Sequence, residues 1–465
     1  MIDFYFRYSN KNFQKKISNL IVDIERLFTL FSIEPVNSNT IFLNTDYKIH
    51  LDEKTWTKIN NLYSTIEEIP KGTYQPIDKF RNKKDSINKD GPTFIDVFAG
   101  AGGLSLGLED AGFKNIATNE IVPEFLETYY LNRNIDLSNL HCGDIKDFDI
   151  NNFKGLNNGE VSLVVGGPPC QGFSNANRQR LIDDPRNHLY KYFIEFINMV
   201  SPKFFIMENV RGMLNKGDEI MDDFSNKLGH NYQTTIFMLN AKEFGLPQHR
   251  ERVFLIGTKD KNVDLNEVKE ELLNTKTEEQ IPIKDALYGL PKLGNKEKKG
   301  GYVENDSVGY KFRINPVDHK DSNAYLDTIN KSQSNLLSNH MNRYNNPRDV
   351  EIFTLLPQGK DSTHESIKDI MPYVSRTGAF KDKYFKLREN HVSKTITAHM
   401  DKDCNSYIHP NQPRGLSPRE AARIQSFPDD YIFMGPKNKW YTQIGNAVPP
   451  QLAKVLGKTL IKYLT

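Results

Sequence analysis

Pro168-Pro169-Cys170-Gln171-Gly172-Phe173-Ser174 sets one of the chain's three cysteines behind two ring-stiffened residues and beside Gln and Gly. A free cysteine is most often a small buried hydrophobe. Gly, Pro and Gln flank this one where core residues would be expected, so it reads as a displayed thiol suited to nucleophilic attack. The strand-like run Val161-Ser162-Leu163-Val164-Val165 leads into it, and ligands of open α/β sheets bind beyond the carboxyl ends of such strands. A second run, Lys203 to Met207, ends in Glu208-Asn209-Val210. An acid at a strand end is commonly a solvated loop residue; here it would share a mouth with Cys170, the convergence expected of an active site. Third, Gln248-His249-Arg250-Glu251-Arg252 opens the run VFLIG. Side chains two apart on a strand point the same way. Two such arginines often make surface ion pairs, but beside a thiol and a carboxyl they suit a base carbonyl and a phosphate.

A small-molecule site is suggested by Phe94-Ile95-Asp96-Val97 running into Phe98-Ala99-Gly100-Ala101-Gly102-Gly103, after which Leu104, Leu108 and Ala111 recur at helical spacing. Strand, glycine turn and helix in that order let a ligand approach the backbone at a helix N-terminus, although a merely tight turn has the same composition. Glu120 closes the next strand-like run twenty positions after Gly100, the place of an acid that holds ribose hydroxyls. Asp144, in His141-Cys142-Gly143-Asp144-Ile145, is placed to accept from an adenine amino group. Ser105 stands where the third glycine of GxGxxG would fall, so the dinucleotide fingerprint is unmet. An adenosine-bearing cofactor without a pyrophosphate fits better.

The elements that must position these residues alternate. TFIDVFAG, NIATNEI, VSLVVGG, KFFIMENV, YQTTIFML and RVFLIG are strand-like, most of them separated by helical patterns, which predicts an α/β fold: a doubly wound, mostly parallel sheet. From about 258 to 411 the alternation fails and Asn, Lys, Asp, Tyr and Gly dominate. Ser417-Pro418-Arg419-Glu420 then combines an N-cap, a first-turn proline and a capping-box acid, predicting a helix through Arg423 and Ile424. PPQLAKVLGKTLIKYL predicts a last amphipathic helix. Residues 1 to about 80 read as an amphipathic helical start followed by short strand-like pieces, TIFLNT and YKIHL, with a polar linker at 79–92.

Composition bounds the rest. In 465 residues, 61 Lys+Arg against 59 Asp+Glu leave a formal charge of +2, so any nucleic-acid surface must be local. Cys142, Cys170 and Cys404 are far apart and without CxxC spacing, which points away from disulfides or a zinc cluster. The absence of a signal-peptide core and of any long apolar stretch predicts a cytoplasmic protein with no membrane and no metal.

Taken in order, FxGxGG at Phe98–Gly103, Glu120, the PPCQxFS loop at Pro168–Ser174, the ENV turn at Glu208–Val210, QxRxR at Gln248–Arg252 and the closing Gly445-Asn446-Ala447-Val448-Pro449-Pro450 resemble the DNA cytosine-5 methyltransferases of bacterial restriction-modification systems. The likeness spans residues 93 to about 457; Ala447 where Ser is common and His249 between Gln and Arg are small departures. It implies a Rossmann-like catalytic domain at 91–295, a target-recognition domain at 296–411 and C-terminal helices at 412–465 that complete the catalytic domain, behind an N-terminal extension, 1–90, with no counterpart in the family core. It also implies S-adenosyl-L-methionine as cofactor, its pocket lined by Phe98, Ala99, Gly100, Gly102, Gly103, Leu104, Glu120, Ile121, Asp144, Ile145, Pro169, Asn446, Ala447 and Val448.

By the same resemblance Cys170, Glu208, Arg250 and Arg252 carry catalysis. A thiolate adding to carbon 6 of cytosine makes carbon 5 nucleophilic. A free thiol has a pKa of about 8.5, so Arg250 or Arg252 is expected to help ionise it, while a protonated Glu208 and Arg252 meet the charge developing on nitrogen 3 and the exocyclic oxygen. Duplex DNA hides carbon 6, so such enzymes flip the base. The contacts that offset this are expected at Gln171 and Ser174, at Arg376, Lys381, Lys383 and Arg388 in a basic, aromatic-interleaved run, and at Thr395 and Thr397. The expected partner is double-stranded DNA, acted on by a monomer, with a cognate restriction endonuclease as a further partner. Two other readings keep the fold: a tRNA cytosine-5 methyltransferase, against which the long 258–411 region speaks, and an inactive DNA-binding regulatory homologue, against which the intact Cys170, Glu208 and Arg252 speak.

Overall fold

Five of the six apolar runs fold as strands with nearly every side chain covered, whichever face it takes, while the run at 232–239, at the sheet edge, is half-exposed. The computed structural model describes residues 90–465 apart from 134, 136–138, 149–160, 170–188, 297–304, 315–321, 331–335, 373–382, 403 and 465, and before them only three short antiparallel strands, β1 (Glu34–Asn37), β2 (Thr40–Phe42) and β3 (Lys48–His50). β2 and β3 fall in the two strand-like pieces; the helical start and most of the linker lie outside the described residues. Seven strands make the main sheet: β4 (Thr93–Val97), β5 (Lys114–Glu120), β6 (Leu140–Cys142), β7 (Leu163–Gly166), β8 (Phe204–Val210), β9 (Gln233–Asn240) and β11 (Glu251–Thr258). Their order is β6-β5-β4-β7-β8-β11-β9. The pairings from β6 to β8 are parallel, and β11 runs antiparallel to both neighbours. The mostly parallel α/β expectation therefore holds, with β11 reversed. β6 escaped the sequence reading because three residues carry no periodicity.

Alternation across the sheet divides the core in two. Phe94, Leu163, Val165, Phe204, Ile206, Phe254 and Ile256 face one side with Leu104 and Leu108 of α1 (Gly103–Ala111). Ile95, Val97, Val164, Phe205, Met207, Val253 and Leu255 face the other, against α3 (Leu189–Val200) and α4 (Gly217–Leu228). α2 (Pro123–Leu131) follows β5, and α5 (Leu265–Leu273) closes the first face. β4 lies where the strand order reverses, so its carboxyl end opens into the crevice such sheets use for ligands.

Beyond α5 come α6 (Ile283–Leu287), the antiparallel pair β12 (Gly309–Ile314) and β13 (Leu336–Met341) with α7 (Ala324–Ile329) between them in the chain, and α8 (Pro347–Leu355). This segment is short on regular structure, as its composition predicted. Two short strands, β10 (Gln248–His249) and β14 (Ser393–Lys394), pair in parallel and join it to the sheet domain. Ile352, Phe353, Leu356, Ile367, Tyr384 and Ile408 form a small core of its own. Tyr325, Leu326, Ile329, Met341, Leu387 and Ile396 instead share a core with the C-terminal helices and Ala101. Those helices are α9 (Pro418–Ile424), α10 (Lys437–Asn446) and α11 (Pro450–Leu460). α9 opens with the expected capping box between Ser417 and Glu420. Among the described residues no helix is long and apolar enough to cross a membrane.

α11 returns to the sheet domain and packs along α1. A Cβ on Gly107 would lie 2.2 Å from the Pro450 carbonyl oxygen and 2.5 Å from Ala453 Cβ. Helix propensity favours alanine over glycine by about 1 kcal/mol, whereas overpacking costs about 1–3 kcal/mol. The obstacle here is main chain that no rotamer change can move aside, so the clash should win. Gly107→Ala is expected to lower stability by about 1–2 kcal/mol in denaturant unfolding; a stabilised variant would show that α1 and α11 do not approach this closely.

Candidate active site

Two clusters meet at the carboxyl ends of β5, β4, β7 and β8. The first surrounds the glycine turn. Glu120, at the end of β5 and 6% exposed, accepts the Gly100 N–H at 2.7 Å on Oε2 and the Val122 N–H at 2.8 Å on Oε1. Burial raises its pKa and these two hydrogen bonds oppose the rise. Each carboxylate oxygen has a second lone pair, so the residue can serve the turn and two ligand hydroxyls together. Asn119 donates to the Gly143 carbonyl at 2.9 Å and thereby sets the loop carrying Asp144, whose Oδ1 accepts from the Lys146 N–H at 3.1 Å. Ile121, next to Glu120, is 62% exposed, an apolar side chain at the surface.

The glycines of the turn differ in purpose. Gly100, at φ 57°, has no described atom within 4 Å of where a Cβ would stand, as expected for close approach of a ligand. Gly102, at φ 78°, would drive a Cβ to 2.5 Å from the Tyr129 ring and 2.7 Å from Arg133 Nη1; on Gly103 it would lie 2.2 Å from the Val448 carbonyl. These two make room for the protein itself, as a tight turn also requires. Phe98 holds a left-handed φ of 57°, a sparsely populated conformation for a bulky residue that the surroundings must impose. Leu104, Ile145 and Val448 turn their side chains into the core, Pro169 and Asn446 are exposed, and Ala99 and Ala447 are half-buried.

The second cluster is an ion pair. Arg252 Nε lies 2.9 Å from Glu208 Oε1, with both side chains nearly buried. Burial raises the Glu208 pKa, while Arg252 first and Arg250 second pull it down. A Cβ on Gly167 would lie 3.2 Å from Glu208 Oε2, so that glycine admits the carboxylate beneath the strand end. Asn209 donates to the Pro168 carbonyl at 3.1 Å and fixes the approach to residue 170. Sequence reasoning kept Asn209 only as a motif letter and passed over Gly167.

Arg250 stands apart from its expected role. Fully buried, it donates to the Ile396 carbonyl at 2.8 Å, to Gly445 at 3.0 Å and to Ala447 at 2.8 Å. Its two terminal nitrogens are committed to main chain while its buried Nε has no partner among the described residues, and it reaches Glu208 only electrostatically. Thr395 and Thr397 are brought to the same junction: Thr395 Oγ1 donates to the His249 carbonyl at 2.7 Å, and Thr397 Oγ1 lies 3.2 Å from the Tyr407 hydroxyl. Lys383 and Arg388 sit away from it, flanking a segment bridged to Asp361 and Ile408, and Arg388 packs over Gly359. Cys170, Gln171, Ser174, Arg376 and Lys381 lie outside the described residues.

The fold is a doubly wound α/β domain with its cleft at the strand-order reversal, and a prophage-encoded E. coli protein solved as a candidate DNA modification methyltransferase shares it with 27% identity and a TM-score of 0.63, over 80% of this chain and 99% of that one. The model of the C-5 cytosine-specific DNA methylases matches residues 92–462, and the chain belongs to that family. Type II methyltransferase M1.HphI of Haemophilus parahaemolyticus is 33% identical over 388 residues, 80% of this chain and 87% of that protein. Type II methyltransferase M.AgeI of Thalassovita gelatinovora is 31% identical over 79% of this chain and 98% of its own length. The enzyme is thus a DNA cytosine-5 methyltransferase of the restriction-modification type, and family and fold imply S-adenosylmethionine as the methyl donor.

Replacing Glu120 with alanine removes an acceptor from two backbone N–H groups and from any ribose bound there. Hydrogen bonds to charged groups contribute about 1.5–3 kcal/mol, so Glu120→Ala should weaken S-adenosylmethionine binding on the order of 10- to 100-fold in calorimetry while the circular dichroism spectrum is retained. Unchanged affinity would remove Glu120 from the cofactor site.

Proposed function

We propose that the enzyme moves a methyl group from S-adenosylmethionine to carbon 5 of a cytosine flipped out of a specific duplex DNA sequence, through a covalent adduct with Cys170. The observation that carries this reading is the nearly buried Glu208–Arg252 pair, packed against Gly167 and next to the strand end from which Asn209 grips Pro168. That loop continues directly to Cys170. The cofactor's adenosine would be held by Glu120 at the ribose, Asp144 at the adenine amino group and Ile121 against the ring, with Phe98, Gly100 and Pro169 along the cleft. Bound there, S-adenosylmethionine supplies an electrophilic sulfonium methyl group.

The Cys170 thiolate adds its electron pair to carbon 6 of cytosine, and the ring double bond shifts so that carbon 5 becomes nucleophilic. Glu208, its pKa raised by burial, hydrogen-bonds as the acid to nitrogen 3, where charge accumulates, and Arg252 supports the exocyclic oxygen. Carbon 5 takes the methyl group; a base then removes the carbon 5 proton, and the pair released restores the double bond and expels the thiolate. Arg250 contributes by holding the Ile396 and Gly445–Ala447 backbone, with its charge felt at Glu208. Residues 296–411 select the DNA sequence, and a cognate endonuclease cutting that sequence is the natural partner of such an enzyme.

The recognition assignment predicts a transferable specificity. Exchanging residues 296–411 for the equivalent segment of a relative with another target should move methylation to the donor's sequence, read by bisulfite sequencing. Methylation that stayed at the original sequence would place recognition elsewhere in the chain.

The covalent step predicts a trap. Fluorine at carbon 5 cannot leave as a cation, so a duplex with 5-fluorocytosine at the target should accept the methyl group and stay bonded to the protein when S-adenosylmethionine is present. Cys170→Ser should abolish the adduct, since an alkoxide forms far less readily than a thiolate near neutral pH. Glu208→Gln should slow its formation and leave the attachment point unchanged. Denaturing electrophoresis with peptide mapping reads the result, and an adduct on Cys142 or Cys404 would overturn the assignment.

A further inference from the structure

Behind the glycine turn, on the side away from Glu120, lies a buried cation. Arg133, just past the end of α2, is 2% exposed. Its Nε donates to Glu109 Oε2 at 3.1 Å, its Nη1 to the Tyr129 carbonyl at 3.3 Å and to the Tyr431 hydroxyl at 2.8 Å, and its Nη2 to the Gly102 carbonyl. The guanidinium is stacked 4.0 Å from the centre of the Tyr129 ring. Tyr431, fully buried and 298 residues further along the chain, donates its own O–H to the Ala101 carbonyl. Two successive carbonyls of the turn are thus captured, one by a residue of the amino-terminal half and one by a residue of the C-terminal segment. The glycine at 102 is required by this arrangement, because any side chain there would strike Tyr129 and Arg133.

We infer that Arg133 and Tyr431 are positioning residues that set the enzyme's affinity for its methyl donor by fixing the glycine turn from behind. A trans peptide places its N–H opposite its C=O. Capture of the Gly102 carbonyl therefore fixes the direction of the Gly103 N–H at the head of α1, and capture of the Ala101 carbonyl fixes the next peptide back, whose N–H closes the turn on Ala99 at 2.9 Å. Glu120 holds the Gly100 N–H from the front. With both sides held, the turn meets its ligand already in shape, and the ordering cost of binding is reduced. Because Tyr431 comes from the C-terminal segment, the turn is complete only when that segment is docked on the sheet domain. The inference rests on the proposal that S-adenosylmethionine binds at this turn.

Tyr431→Phe removes one hydroxyl and leaves the ring, so the full-length variant is expected to fold. Calorimetric titration with S-adenosylmethionine should give a Kd about three- to tenfold above that of the unaltered enzyme. The KM for S-adenosylmethionine should rise in parallel, with kcat at saturating cofactor within about twofold. Arg133→Lys keeps the charge but loses the planar fork and should weaken the cofactor at least as much. Tyr325→Phe is the control, since that buried hydroxyl also donates to a main-chain carbonyl, that of Arg423 in α9 rather than one of the turn; it should lower the melting temperature and leave the cofactor Kd unchanged. If Tyr431→Phe lowered the melting temperature like Tyr325→Phe and bound cofactor like the unaltered enzyme, the clamp would be structural only and the inference overturned, with the cofactor site intact. Failure of the unaltered enzyme to bind S-adenosylmethionine would instead overturn the cofactor reading on which the inference stands.

Discussion

Buried irregular backbone must find hydrogen-bond partners, and in this enzyme guanidinium groups supply many of them. Arg250 takes three carbonyls from two segments, near residue 396 and near residue 446. Arg419 donates to the carbonyls of Ser338, Pro428 and Tyr431. Arg423 holds the carbonyls of Ala286 and Tyr288 and is itself paired with Asp429. Arg414 forks onto Glu420 and reaches the Gly415 carbonyl. Arginine suits this work because its five donors lie in one plane and its charge is retained on burial. A lysine with its compact ammonium could not span carbonyls from separate loops. The energetic condition is that each burial be well paired, since an unpaired buried charge costs several kcal/mol. Glu420 meets it for Arg414, which together with His409 and His340 holds the Glu420 carboxyl well below the ordinary range despite burial.

Most of these arginines project from α9 or its flanks, which explains why a helix of seven residues is buried along its whole length. The segment between α5 and α9 has too little regular structure to close its own backbone. It is organised instead around α9, with the core partly shared between the two. A segment held by side chain to main chain contacts can vary in sequence wherever its carbonyls keep their places.

How much of this could be read from the sequence depends on range. The inner strands were legible because both faces of the sheet are covered there, so that β-branched runs stand out without alternation. The α9 cap was legible because Ser417 and Glu420 are three apart, and the site motifs were legible because each is a short local run, all but Gly445–Pro450 within a few residues of a strand end. β6 was too short to register. Arg250 was readable as an arginine in the right place, but its partners at 396, 445 and 447 leave no local trace. The glycine turn shows the limit most clearly: three glycines in four positions suggest one cause, and only the packed structure separates Gly100 from Gly102 and Gly103.

That separation bears on how the two halves of the site stay in register. The glycine turn is backed by Val448 and Tyr431, the Glu208–Arg252 pair belongs to β8 and β11, and Arg250, two residues before Arg252, grips the same Gly445–Ala447 turn that touches Gly103. Gln425 completes the link, accepting from Gln248 at 2.7 Å and donating to the Ile444 carbonyl at 2.6 Å. A shift of the C-terminal turn would therefore move the head of α1 and the start of β11 together. Methyl transfer requires a donor carbon and an acceptor carbon to meet within a few tenths of an ångström, and misplacement by about 1 Å costs on the order of 100-fold in rate. One turn that touches both Gly103 and Arg250 couples the two clusters without any direct bond between them, and Gly445 is itself tight, since a Cβ there would strike the backbone of Thr397 and Ala398 at 2.2 Å.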